Sequence, residues 1–182
     1  MYDKQKEGDR MEQRRRLVKR AQKGDEEAFI ALMQYYESTL YGGALRMLRH
    51  EADVADVMQE TVLLAYTKLH TLRDPEFLHT WLYRIMLNEC HRLIRKRERE
   101  TSVNDSIIET AVNDAYRVEL DEAIHALAPM YREVVTLRYV MELTTREIAD
   151  VLGTPEGTIK ARLSRARQQL KQTYYRQERE SV

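Results

Sequence analysis

The chain has 182 residues, 43% hydrophobic and 33% charged, with 30 Lys plus Arg against 30 Asp plus Glu, 6 Gly, 3 Pro and a single Cys. That length suits one medium domain or two small ones, the scarcity of Gly and Pro favours helix, and one cysteine excludes an internal disulfide framework or a cysteine-built zinc site. No apolar run approaches the roughly 18 residues of a membrane span and the first residues lack the apolar stretch of a signal peptide, so a cytoplasmic all-α protein is expected.

Apolar residues at Phe29, Leu32, Met33, Tyr36 and Leu40 recur at helical spacing, predicting a helix or helix pair over about 25–49, with Gly42 and Gly43 weakening or bending its continuation. The next stretch repeats the pattern through Val54, Val57, Met58, Val62, Ala65 and Leu69. It leaves Asp53, Asp56, Gln59 and Glu60 on or near the opposite, acidic face. Asp74-Pro75 marks a loop over about 72–77. After it comes a helix with an apolar face of Leu82, Ile85, Met86, Cys90 and Leu93 and a second face of Trp81, Arg84, Asn88, His91 and Arg95.

Acidic, weakly periodic sequence from 100 to 116 reads as a linker between two small helical domains, and four short helices are expected beyond it. Thr144 and Glu147 have capping-box spacing, and Gly153 stands where a helix would stop in a left-handed residue. Thr154 and Pro155 then open a new helix as N-cap and first helical residue.

Two helices so closely joined make a helix-turn-helix, with Ala149 allowing a close crossing and Ile148, Leu152, Ile159 and Leu163 filling the shared core. The second helix would present Thr158, Lys160, Ala161, Arg162, Ser164, Arg165 and Arg167 outward. Its cations suit phosphates and guanine edges, and its small residues permit close approach to a major groove. A basic helix on a solvated surface is the competing reading, and the preceding helix, turn and caps outweigh it.

The face carrying Trp81, Arg84, Asn88, His91 and Arg95 offers a ring, an amide and cations, the ingredients for holding unpaired bases. The same Trp81 equally suits a partly buried core position. Cys90 and His91 lack a paired ligand at i, i+4 spacing, so no catalytic residue, metal site or cofactor is expected.

Three stretches in order resemble the extracytoplasmic-function (ECF, group IV) sigma factors of bacterial RNA polymerase, in the sigma-70 family. "DVADVMQETVLLAYTKLHTL" is similar to region 2.2, "FLHTWLYRIMLNECHRLIRK" to regions 2.3 and 2.4, and "LTTREIADVLGTPEGTIKARLSRARQQL" to region 4.2. The resemblance spans about 17–173. It implies an N-terminal extension (1–16), a sigma region 2 domain (17–99), an acidic flexible linker (100–116), a sigma region 4 domain (117–175) and a short tail (176–182). It departs from the commonest pattern at His91, at Tyr66 and in the loop "TLRDPEF".

By this resemblance Asp53, Asp56, Gln59 and Glu60 would face the beta-prime clamp helices of the core polymerase, and the second domain would meet the beta flap. Arg73, Asp74, Glu76, Phe77, Trp81, Arg84, Asn88, His91, Arg92 and Arg95 would hold the melted minus-ten element. Thr158, Lys160, Ala161, Arg162, Ser164 and Arg165 would read the minus-35 element as duplex. The resemblance further implies a stress-response role under a cognate anti-sigma factor, in some members anchored in the membrane. The alternative is a helix-turn-helix regulator acting without core polymerase, for which the acidic "DVADVMQE" face has no evident use.

Overall fold

The computed structural model describes the backbone of residues 4–101 and 115–180, with side chains from Met11 to Glu100 and from Asp121 to Thr173. Eight α-helices form two groups: α1 (Lys4–Ala21), α2 (Glu26–Leu48), α3 (Glu51–Lys68) and α4 (Leu78–Thr101), then α5 (Ala115–Ala126), α6 (Pro129–Tyr139), α7 (Thr145–Leu152) and α8 (Glu156–Glu180). No strand occurs among the described residues. The all-α expectation holds. Of the proposed linker 100–116, the first two residues end α4 and the last two begin α5, while residues 102–114 lie outside the described ones.

Helix α1 reaches back to Lys4, well into the segment assigned to an extension, and buries Val18 completely. A turn with Gly24 at φ 90° leads to Asp25, whose carboxylate accepts from the Ala28 amide at 3.0 Å and so caps α2. The Gln22 amide donates to the carbonyls of Leu69 and Leu72 at 3.1 and 2.7 Å, pinning this turn to the end of α3. In the loop before α4, Asp74 accepts from the Glu76 amide at 3.0 Å and Pro75 opens a 3-10 turn.

Helix α2 runs unbroken through Gly42 and Gly43, against the expected weakening. The reason is tertiary: Gly43 is buried, and Met141 of the second group fills the space beside it. The two groups share one core. Leu32, Leu40, Leu82, Met86 and Leu87 of the first belong to the same apolar cluster as Leu137, Met141, Leu143, Ile148 and Ile159 of the second. A small satellite of Ile124, Leu127, Val135 and Ala166 steadies α5, α6 and α8. Each fully buried Leu or Ile is worth roughly 1.5–3 kcal/mol, so burial of these side chains dominates the stability of the helices.

Candidate nucleic-acid and polymerase interfaces

The α7–α8 unit forms from local signals. The Thr144 hydroxyl accepts from the Glu147 amide at 3.2 Å, while the Glu147 carboxylate accepts from the Thr144 amide at 2.8 Å, a closed capping box. Partial burial pushes the Glu147 carboxyl up, but its bonds from Thr144 and His79 prevail and hold it below the usual carboxylate range. Helix α7 stops at Gly153 with φ 60°, where a Cβ would be strained. Helix α8 starts one residue later than expected. The Thr154 hydroxyl donates backward to the Leu152 carbonyl at 3.3 Å, and the Pro155 carbonyl accepts from the Thr158 and Ile159 amides.

Ile159, Leu163 and Ala166 turn α8 inward. Thr158, Lys160, Ala161, Ser164, Arg165 and Arg167 are exposed, and Arg162 is half-exposed. Lys160 pairs with Glu156 at 3.0 Å, and the Thr145 hydroxyl donates to the same carboxylate at 2.7 Å, tying the starts of α7 and α8 together. Among the described residues nothing pairs with the guanidinium groups of Arg162, Arg165 or Arg167. This leaves a cationic strip with small residues between its charges, shaped for a duplex groove.

On α4, Arg84, Asn88, Arg92 and Arg95 are exposed, while Trp81 and His91 are half-buried. Steps of three and four residues put Trp81, Arg84, Asn88, His91 and Arg95 on one side. Trp81 also packs against the core, as its reading as a partly buried core residue expects. Several of these side chains are engaged. Arg84 donates to the Asp150 carbonyl at 2.5 Å, His91 Nε2 lies 2.8 Å from Glu133 Oε1, and Arg92 bonds Glu89 at 2.6 Å. In the preceding loop Arg73, Glu76 and Phe77 are exposed, and Asp74 is half-buried and occupied with its cap.

On α3, Asp56 and Gln59 are exposed and Glu60 half-buried. Asp53 departs from the expected solvent face. It is 5% exposed and bonded to Arg97 at 2.5 Å, because the end of α4 crosses the first turn of α3 and turns this carboxylate inward. The sequence reading missed Leu63, which is 60% exposed and follows Gln59 by one turn on the same face. Tyr66, one turn further on, is half-exposed and its ring meets that of Phe29 in a T-shaped contact. An exposed leucine in register with an acidic stripe was the available signal.

Burial, with Glu89 and Glu133 nearby, pushes the Cys90 thiol up to about 12, so it stays protonated at neutral pH. Among the described residues no His, Cys, Asp and Glu side chains gather as a metal-holding group, and no helix is long and apolar enough to cross a membrane.

Two family descriptions match the chain in order: "Sigma-70 region 2" over residues 32–100 and "Sigma-70, region 4" over residues 117–170. It is 31% identical over 154 residues to the ECF RNA polymerase sigma factor SigM of Bacillus subtilis, covering 80% of this chain and 94% of that one. The chain belongs to the sigma-70 family. Within it the ECF sigma factors are its relatives. Identity is 30% over 176 residues to the RNA polymerase sigma-H factor of Pseudomonas aeruginosa, covering 86% of this chain and 91% of the relative.

Solved structures agree. The sigma factor RpoE of Bartonella quintana, determined with the anti-sigma factor NepR, superposes with a TM-score of 0.74 at 26% identity, covering 81% of this chain and 96% of that one. CnrH, determined with the cytosolic domain of CnrY, gives 0.70 at 29% identity, covering 87% and 95%. This sigma factor is thus a transcription initiation factor that directs core RNA polymerase to promoters, and the stand-alone regulator is the weaker reading.

Proposed function

We propose that the sigma factor divides promoter recognition between two domains, 17–99 and 117–175. The α8 strip of Lys160, Ala161, Arg162, Ser164 and Arg165, with Thr158 at its start, reads the minus-35 duplex. The α4 face, with Arg73, Glu76 and Phe77 of the loop before it, holds the melted minus-ten strand. Asp56, Gln59 and Glu60 meet the polymerase clamp helices, and Leu63 extends that contact with an apolar anchor. Asp53 supports the surface from beneath through Arg97. The observation that carries this reading is the cationic face of α8, left open to solvent directly after a capped helix-turn.

The protein works in the cytoplasm, carries out no chemistry of its own and takes no cofactor. Its action is differential binding to polymerase, duplex and single strand. An anti-sigma factor holds it inactive until an envelope or other stress releases it, as the complexes of the two similar structures suggest. A membrane-anchored anti-sigma factor would bring it to the membrane surface without insertion of its own chain.

The test is run-off transcription with purified core polymerase on a genomic fragment library. Discrete transcripts that appear only when the protein is added, with two shared sequence elements upstream, are the expected result. DNA binding with no polymerase-dependent transcript would overturn the reading.

A further inference from the structure

Between α6 and α7, Glu142 adopts φ 56°, a left-handed conformation uncommon for a residue with a side chain. Met141, immediately before that turn, reaches α2. Met141 is 3% exposed, and a Cβ added to Gly43 would lie 2.0 Å from its terminal Cε. Gly43 therefore leaves a hollow that Met141 plugs. Around the plug, four polar links join the two domains: Arg46 with Asp121 at 3.2 Å, His79 with Glu147 at 2.8 Å, Arg84 with the Asp150 carbonyl at 2.5 Å and His91 with Glu133 at 2.8 Å. Three of the four start on α4.

We infer that the free sigma factor closes on itself through the Met141 plug, and that closure ties up Arg84 and His91 on the strand-binding side of α4 while leaving the duplex-binding side of α8 open. The second domain and the melted strand compete for the same side chains, Arg84 and His91. In this closed form Lys160, Ala161, Ser164 and Arg165 stay exposed. The closed protein accepts a minus-35 duplex and refuses a minus-ten strand until a partner that prefers the open form shifts the balance. The inference rests on the division of labour proposed above.

The test uses the full chain with dyes on cysteines introduced at Ser38 and Gln168, both exposed, while native Cys90 is buried. Met141→Asp puts a charge into the hollow, and Gly43→Leu fills it with a good helix former from the first domain's own side. Energy transfer between the dyes reads closure without DNA. Binding is then measured to a duplex and to a single strand from one mapped promoter. The expected result is lower transfer in both variants and tighter strand binding, by about tenfold if a tenth of the wild-type chain is open, with unchanged duplex binding.

Arg46→Glu is expected to open the protein and Arg46→Glu with Asp121→Arg to close it again, a rescue that misfolding would not give. Equal transfer in wild type and all variants would overturn the latch. Separated domains with unchanged, measurable strand affinity would overturn the occlusion. Separated domains with no strand binding in any form would remove the α4 assignment while leaving the closure intact.

Discussion

Helices α4 and α8 are both long, both rich in arginine and both assigned to DNA, yet their cations stand in different company. On α8, Arg162, Arg165 and Arg167 have no protein partner among the described residues, while on α4 Arg84, Arg92 and Arg97 bond to protein oxygens. A count of basic residues would rank the two faces alike. Their partners differ: Arg84 and Arg92 would have to exchange protein bonds for nucleic-acid ones, whereas Arg162 and Arg165 would not. Such an exchange makes strand binding conditional, since only the difference between two sets of contacts remains as affinity.

Breaking the core beneath both helices is expected to have the largest effect. Leu137 is fully buried in the cluster common to both domains, so Leu137→Ala should cost about 2–5 kcal/mol. Urea unfolding should show a transition shifted to lower denaturant, and an unchanged midpoint would take Leu137 out of the core. Next is the contrast between the helices themselves. Arg165→Ala should weaken specific minus-35 duplex binding by about 1–3 kcal/mol if it makes a bidentate base contact. A loss equal on every duplex would make Arg165 a phosphate contact instead. Arg84→Ala should leave duplex binding unchanged in the same assay, because Arg84 belongs to α4 and not to the α8 strip.

Thr144→Ala, which removes the hydroxyl of the α7 cap, should lower stability by about 1 kcal/mol, read from thermal or urea unfolding. The last effect is a slope with pH. His125 is pushed down to about 4 by burial first and then by the charges of Arg49, Arg132 and Arg46. An unfolded histidine titrates near 6.5, so the unfolded chain binds the extra proton between those values. Its contribution is complete above about pH 6.5 and fades as pH falls toward the folded value. His125→Gln should flatten that part of the urea-midpoint profile, and an unchanged slope would assign it to other groups.

Local signals carried the helix-turn-helix. Thr144, Glu147, Gly153 and Pro155 act on their own neighbours, so their meaning is legible without the rest of the chain. The acidic stripe on α3 was legible for Asp56 and Gln59 by helical period alone, but Asp53 shares that period and is buried, because Arg97 arrives from 44 residues away. Helix α2 likewise continues through two glycines because of a methionine almost a hundred positions later in the chain. The partners of His79, Arg84 and His91 were hidden for the same reason: Glu147, Asp150 and Glu133 meet them only once the domains pack.

The central claim is that two faces of one chain read two promoter elements in different states, one paired and one melted. Footprinting of polymerase holoenzyme on a mapped promoter, with protection of the upstream duplex and chemical reactivity of unpaired thymines recorded together, tests it most directly. Asn88→Ala should keep upstream protection and lose thymine reactivity near the start site, whereas Arg165→Ala should lose upstream protection first as protein is diluted. If both variants lost both signals in parallel, or if the two effects were exchanged, the assignment of α4 to the strand and α8 to the duplex would be contradicted.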